Sequence, residues 1–152
     1  MKSFLNISLI VLFLSGCSYD NAFSRFDISE KKAKSEESIV SSKIYDKKEV
    51  LGIVSSVYLN AVNPEQFHDG EYFYVYLYVK NKEESLTFSL NDVNASSVKE
   101  LYRENEFAQL TSSNAPWQQY YLVKFPKQDD TLVFKVSLTS FTSDPIVFEK
   151  NQ

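Results

Sequence analysis

A chain of 152 residues has room for one domain and a short appendage, and is too short for two ordinary domains. Its 43% hydrophobic, 24% charged and 15% aromatic residues exclude disorder throughout, and 10 Tyr and 12 Phe against 3 Gly and 4 Pro favour pleated surfaces over helices. The formal charge of −4, with Lys and acids interleaved, excludes a basic stripe that would release counterions from phosphates, so no nucleic-acid partner is expected.

The first element is an export signal. Lys2 gives a positive start and Phe4 through Phe13 a short apolar run. Ten residues are too few for a bilayer-spanning helix, which needs roughly 20. A cleaved signal peptide over residues 1–16 fits better than a permanent span. Leu14-Ser15-Gly16-Cys17 then resembles the lipobox of bacterial lipoproteins, with Leu at −3, small residues at −2 and −1, and Cys at +1. The resemblance covers the signal region only. It implies thioether attachment of diacylglycerol to Cys17, cleavage between Gly16 and Cys17, and acylation of the new amino group, for example with palmitate. Two or more acyl chains hold a protein firmly on a membrane where one does so only marginally. Ser18 stands where Asp commonly retains Gram-negative lipoproteins in the inner membrane, so the resemblance leans toward the outer membrane of the cell envelope. Removing residues 1–16 takes away Lys2 and no acid, leaving 15 basic against 20 acidic side chains, a charge of −5. Cys17 is the only Cys, so no intramolecular disulfide is available.

Residues 17–48 read as a lipidated N-terminus and a polar tether, since Ser, Lys and Glu dominate Ser29 to Ser38. Helix formers there make a partial helix an equal alternative to coil. From Glu49 the pattern turns to period two, which places the domain at 49–152. In the first strand Leu51, Ile53, Val57 and Leu59 are expected on one face, with Gly52 a candidate bulge. Asn63-Pro64 and Asp69-Gly70 punctuate the next loop. Tyr72 to Val79 then alternates without a break. Further strands are expected over 86–90, 117–125, 132–138 and 146–148. Their inward sets are Leu86, Phe88 and Leu90; Trp117, Tyr121, Val123 and Phe125; Leu132, Phe134, Val136 and Leu138; and Ile146 and Phe148. Ser97-Val98-Lys99-Glu100 has the spacing of a capping box, predicting one short helix through Leu101 and Tyr102. Short connections at 126–130 and 142–145 predict a C-terminal antiparallel meander. About seven strands in about 100 residues predict an all-β, antiparallel, immunoglobulin-like or transthyretin-like sandwich.

Chemistry-bearing patterns are sparse. His68 is the only histidine, no Cys follows Cys17, and no Gly-x-Ser-x-Gly elbow or phosphate-binding glycine loop occurs, so catalytic residues are not assigned and an enzyme is not expected. Glu65, His68, Asp69 and Glu71 place one imidazole and three carboxylates within seven residues. Turn solvation explains them better than a metal site, because one His with mixed acids matches no ligand signature, and no cofactor is expected. The strand at 72–79 is more distinctive: Phe73, Val75, Leu77 and Val79 point one way, and Tyr72, Tyr74, Tyr76 and Tyr78 the other. Those tyrosines pack against neighbouring strands or a covering helix, or else form a binding face. The leading functional expectation is a non-catalytic envelope lipoprotein, membrane-bound through Cys17, that recruits a partner protein. A glycan- or small-ligand-binding lipoprotein is the alternative.

Overall fold

The computed structural model describes residues 22–82, 85–129, 131–139 and 141–150, with the backbone alone for 22–28. Gly16, Cys17 and the rest of the signal region lie outside the described residues. In chain order the elements are α1 (Ala22–Glu37), β1 (Val40–Asp46), β2 (Glu49–Tyr58), α2 (Leu59–Val62), β3 (Glu71–Val79), β4 (Leu86–Leu90), β5 (Val93–Asn94), β6 (Ser97–Leu101), a 3-10 turn (Ala108–Leu110), β7 (Gln119–Phe125), β8 (Thr131–Leu138), β9 (Phe141–Thr142) and β10 (Ile146–Glu149). Two antiparallel sheets result, one ordered β1-β2-β3-β7-β6 and the other β10-β8-β4-β5, with β9 also on β8. The protein is an all-β sandwich.

Period-two alternation explains why the sheets face each other. Phe73, Val75, Leu77 and Val79 on β3 and Tyr121, Val123 and Phe125 on β7 meet Phe88 and Leu90 on β4, Leu132, Phe134, Val136 and Leu138 on β8, and Ile146 and Phe148 on β10 in one apolar core. Phe73 is its hub: its ring stacks on Phe134 at 4.9 Å and meets Tyr58, Phe125 and Phe148 at 5.2 to 5.8 Å.

Both flanks of the sandwich are tied. On one, β5 belongs to the second sheet and β6 to the first, so the chain crosses between them through Ala95 and Ser96, whose N–H groups donate to Phe88 O and Lys124 O. On the other, Ser143 bridges to Ile44, Asp144 N donates to Lys43 O, and Ser42 Oγ donates to Asp144 O at 2.8 Å. These contacts cover edge backbone that would otherwise template pairing with another chain.

Several expectations are corrected. The first sheet begins at Val40, not Glu49, and α1 occupies much of the expected tether, because β2 offers a full edge over which β1 pairs from Val40↔Ser56 to Asp46↔Glu49. The capping-box helix at 97–102 is instead β6, paired from Ser97↔Lys124 to Leu101↔Tyr120. The open edge of β7 there overrides a weak local signal, and the short helix is α2. The connection at 126–130 carries the chain from one sheet to the other, so β7 and β8 form no hairpin. Trp117 lies outside β7 and is exposed, not inward.

Gly70 sets the entry to β3. An added Cβ there would stand 2.6 Å from Phe125 O, and Gly70 O also accepts from Asn60 Nδ2 at 2.7 Å. Neither strand backbone can recede without breaking the β3–β7 ladder. Gly70→Ala is expected to lower unfolding free energy by about 1–3 kcal/mol, the usual range for overpacking, as read from the urea midpoint at constant slope.

Candidate functional site

The expected tyrosine face divides into a covered part and an open part. Tyr74 is fully buried and Tyr76 nearly so, in a second apolar cluster with Val57, Leu59, Val62, Phe67, Phe107 and Tyr120 on the outer face of the first sheet. Tyr74 rests against Phe107 at 5.4 Å and stacks on Tyr120 at 6.4 Å, and burial pushes its hydroxyl up to about 12. The cover comes from the α2 loop and the 102–118 segment, with α1 on the 3-10 turn. Tyr72 is half-buried, its hydroxyl donating to Asp69 Oδ1 at 2.6 Å and Lys124 Nζ lying 5.0 Å above its ring. Four tyrosines therefore do not form one continuous binding face; Tyr74 and Tyr76 pack.

Tyr78 is different. It pairs with Ile53, and the two line a depression of about 450 Å³ with Ser55, Tyr76, Trp117 and Gln118. The patch continues sideways through a bulge. Ile44 pairs with Gly52 and Tyr45 with Val50, leaving Leu51 as the extra residue. Val50 and Ile53, three apart in sequence, thus take successive outer positions beside Tyr45 and Lys43, while Leu51 turns toward the inter-sheet core. Strict alternation had placed Leu51, Ile53, Val57 and Leu59 together; Val57 and Leu59 instead join the covered cluster.

The outcome is a patch in which Tyr45, Val50, Ile53 and Tyr78 are 37–45% exposed and Trp117 is 60% exposed. Trp117 is held by its turn: Gln118 N donates to Ala115 O, and Gln118 Oε1 accepts from Ser113 Oγ at 2.9 Å and from Ala115 N at 3.3 Å. Ser55 Oγ is bonded to Ser41 Oγ at 2.8 Å. Much of the polar lining is therefore already engaged within the protein. At the rim, Lys80 and Glu49 form an ion pair. Tyr45, Val50, Ile53, Tyr78 and Trp117 are thus the large apolar side chains left open on this face beside the covered cluster.

The Glu65–Glu71 group separates into unrelated roles. His68 Nδ1 contacts Glu65 O at 3.0 Å on the surface. Asp69 pairs with Lys124 Nζ at 2.8 Å; that ammonium and the Tyr72 hydroxyl hold its carboxyl down to about 2. Glu71 is 2% exposed and accepts from Tyr58 hydroxyl at 2.6 Å, Lys150 Nζ at 2.7 Å and Gln128 N at 3.0 Å. Among the described residues no three His, Cys, Asp or Glu side chains gather as a metal site. No protein-family model, curated protein or solved structure matches the chain.

Proposed function

We propose that the chain is a bacterial envelope lipoprotein, acylated on Cys17, whose sandwich acts as a non-catalytic module binding a partner protein through Tyr45, Val50, Ile53, Tyr78 and Trp117. The anchor is supported by the Leu14-Ser15-Gly16-Cys17 lipobox after a short apolar run, and Ser18 favours the outer membrane. The binding role is carried by one observation: five large apolar side chains share one exposed face beside a tyrosine cluster that is otherwise covered.

A protein fits this surface better than a glycan. Val50 and Ile53 offer β-branched aliphatic area that does not stack on a sugar ring, and Ser55 Oγ and Gln118 Oε1 are already bonded internally. Sugar recognition needs several free, convergent polar groups, whereas protein interfaces are dominated by a few aromatic anchors in apolar surroundings.

A photo-crosslinking residue at position 78 is expected to give one discrete adduct in intact envelopes, while the same residue at Val147, exposed on the other sheet, gives none. Trp117→Ala should weaken the adduct's partner by about 2 kcal/mol or more, roughly 30-fold in affinity, without lowering thermal stability. Equal adducts from positions 78 and 147, or full affinity with Trp117→Ala, would remove the patch from the account.

A further inference from the structure

Resting on the acylated-Cys17 reading, we infer that the domain is held close against the membrane and that the loop at residues 102–107, tipped by Tyr102, is the surface that meets lipid headgroups. α1 starts at Ala22, leaving four residues between it and Cys17. Whatever path those residues take, five steps of chain reach at most about 17 Å. A flexible linker ending at residue 48 would reach roughly 100 Å by the same geometry. The short reach holds the domain close only because α1 is seated on it. The helix packs on the 3-10 turn and on α2, its Ser35 is fully buried, and Glu36 accepts from Ser112 Oγ.

The seating also gives the direction of exit. Lys34 and Glu37 lie beside Val40, Tyr58 and Phe148, whereas Lys31 lies beside Glu106, Phe107 and Leu110. Toward its N-terminus, then, α1 runs to the side of the 106–110 segment, and Ala22 lies nine residues, or about 14 Å, beyond Lys31 along the axis. The acyl chains are brought to that side of the molecule.

Four residues ahead of that segment, and tied to it through Asn105, stands Tyr102, 90% exposed and the most open of the large apolar side chains among the described residues. It is not on a loose tip. Asn105 Nδ2 donates to Tyr102 O at 2.7 Å, Asn105 Oδ1 accepts from Phe107 N at 2.9 Å, and Phe107 is buried against Tyr74. A rigidly presented Tyr next to Arg103, which pairs with Glu104, suits the headgroup layer, where an amphipathic ring and a snorkelling cation are both satisfied. The mature charge of −5 opposes adhesion to an anionic surface, so the lipid this contact fits is zwitterionic.

The test uses full-length mature protein purified with its acyl chains and reconstituted in phosphatidylethanolamine–phosphatidylcholine vesicles carrying brominated acyl chains. Tyr102→Trp in a Trp117→Phe background leaves one indole, at position 102, and wild type leaves one at 117. Bromolipid is expected to quench emission from position 102 at least twofold and from Trp117 hardly at all. With Cys17 acylation verified by mass, an unquenched indole at 102 overturns the membrane-facing loop and leaves the anchor standing. A mature protein recovered from the membranes of the expressing bacterium without acyl chains on Cys17 overturns both.

Discussion

Replacing Glu71 by Ala is expected to lower the unfolding free energy by about 3 kcal/mol, the low end of the range for breaking a buried charge pair, because Lys150 is 24% exposed and can rehydrate. The carboxylate joins four segments: Tyr58 at the end of β2, Glu71 at the start of β3, Gln128 between β7 and β8, and Lys150 after β10. Removing it leaves the Tyr58 hydroxyl without its acceptor in the core and an ammonium half inside the protein. Burial alone would push the Glu71 carboxyl up; the Lys150 ammonium, the Tyr58 hydroxyl and the Gln128 N–H outweigh it and hold the group below the ordinary carboxylate value of 4.5. The same burial, reinforced by the carboxylate, raises Tyr58. A carboxyl lowered on folding adds stability that is fully present above its unfolded value and lost as pH falls through its folded value. Acid destabilisation should therefore set in below about pH 4.5, and Glu71→Gln, although less stable at pH 7, should show a shallower loss there. Asp69, held down to about 2, keeps contributing in that variant until more acid pH. Urea unfolding between pH 7 and pH 3 reads both effects. Equal acid slopes for wild type and Glu71→Gln would mean that the clasp is not ionised.

Phe73→Ala is expected to cost about 3–5 kcal/mol, enough to unfold much of a small domain whose total stability lies at about 5–15 kcal/mol. The ring is fully buried, and its four aromatic neighbours come from β2, β7, β8 and β10, so no single shift fills the void. Phe73→Leu should retain about half of that loss through partial filling. Trp117→Ala is the matched control: a larger side chain removed from the surface, with little change in midpoint. Similar losses from both would contradict the division into a packed face and an open patch.

The inter-sheet core was legible because alternation on β3, β4, β8 and β10 is unbroken, and Phe73, Phe88, Phe134 and Phe148 all lie where period two puts them. What was not legible depends on contacts distant in sequence. Gly52 marks the bulge to within one residue, but that Leu51 is the extra residue is set by pairing with β1, which reverses the outward order of β2 and brings Val50 beside Ile53. Ser97 to Glu100 satisfies a helix-start pattern, and only the vacant edge of β7 makes it a strand. α1 has no strong apolar stripe, so its docking could not be read from its own residues. Glu71 looked like one of several solvated loop acids; its partners Tyr58, Gln128 and Lys150 lie up to 79 residues away. For the site, Tyr78 was singled out with three neighbours of identical type, and what separates it from Tyr74 is the cover over one end of β3. The β7 alternation, extended back to Trp117, puts that side chain inward, but the strand begins two residues later, at Gln119.

The bulge and the cover together leave a sandwich with part of one side closed by its own loops and the rest of that side open and aromatic. The proposed use of that open face depends on where the chain is held, and hence on the proposed acylation of Cys17.

The decisive measurement is fractionation with intact-mass analysis of wild type beside Cys17→Ser, expressed in a bacterium with a lipoprotein pathway. The wild-type protein is expected in the membrane fraction, beginning at Cys17 and carrying acyl chains on it, and the Cys17→Ser protein is expected unlipidated and either released or left unprocessed. A wild-type protein recovered soluble, starting at Met1 and unmodified at Cys17, would contradict the lipoprotein reading and the membrane-held binding role built on it.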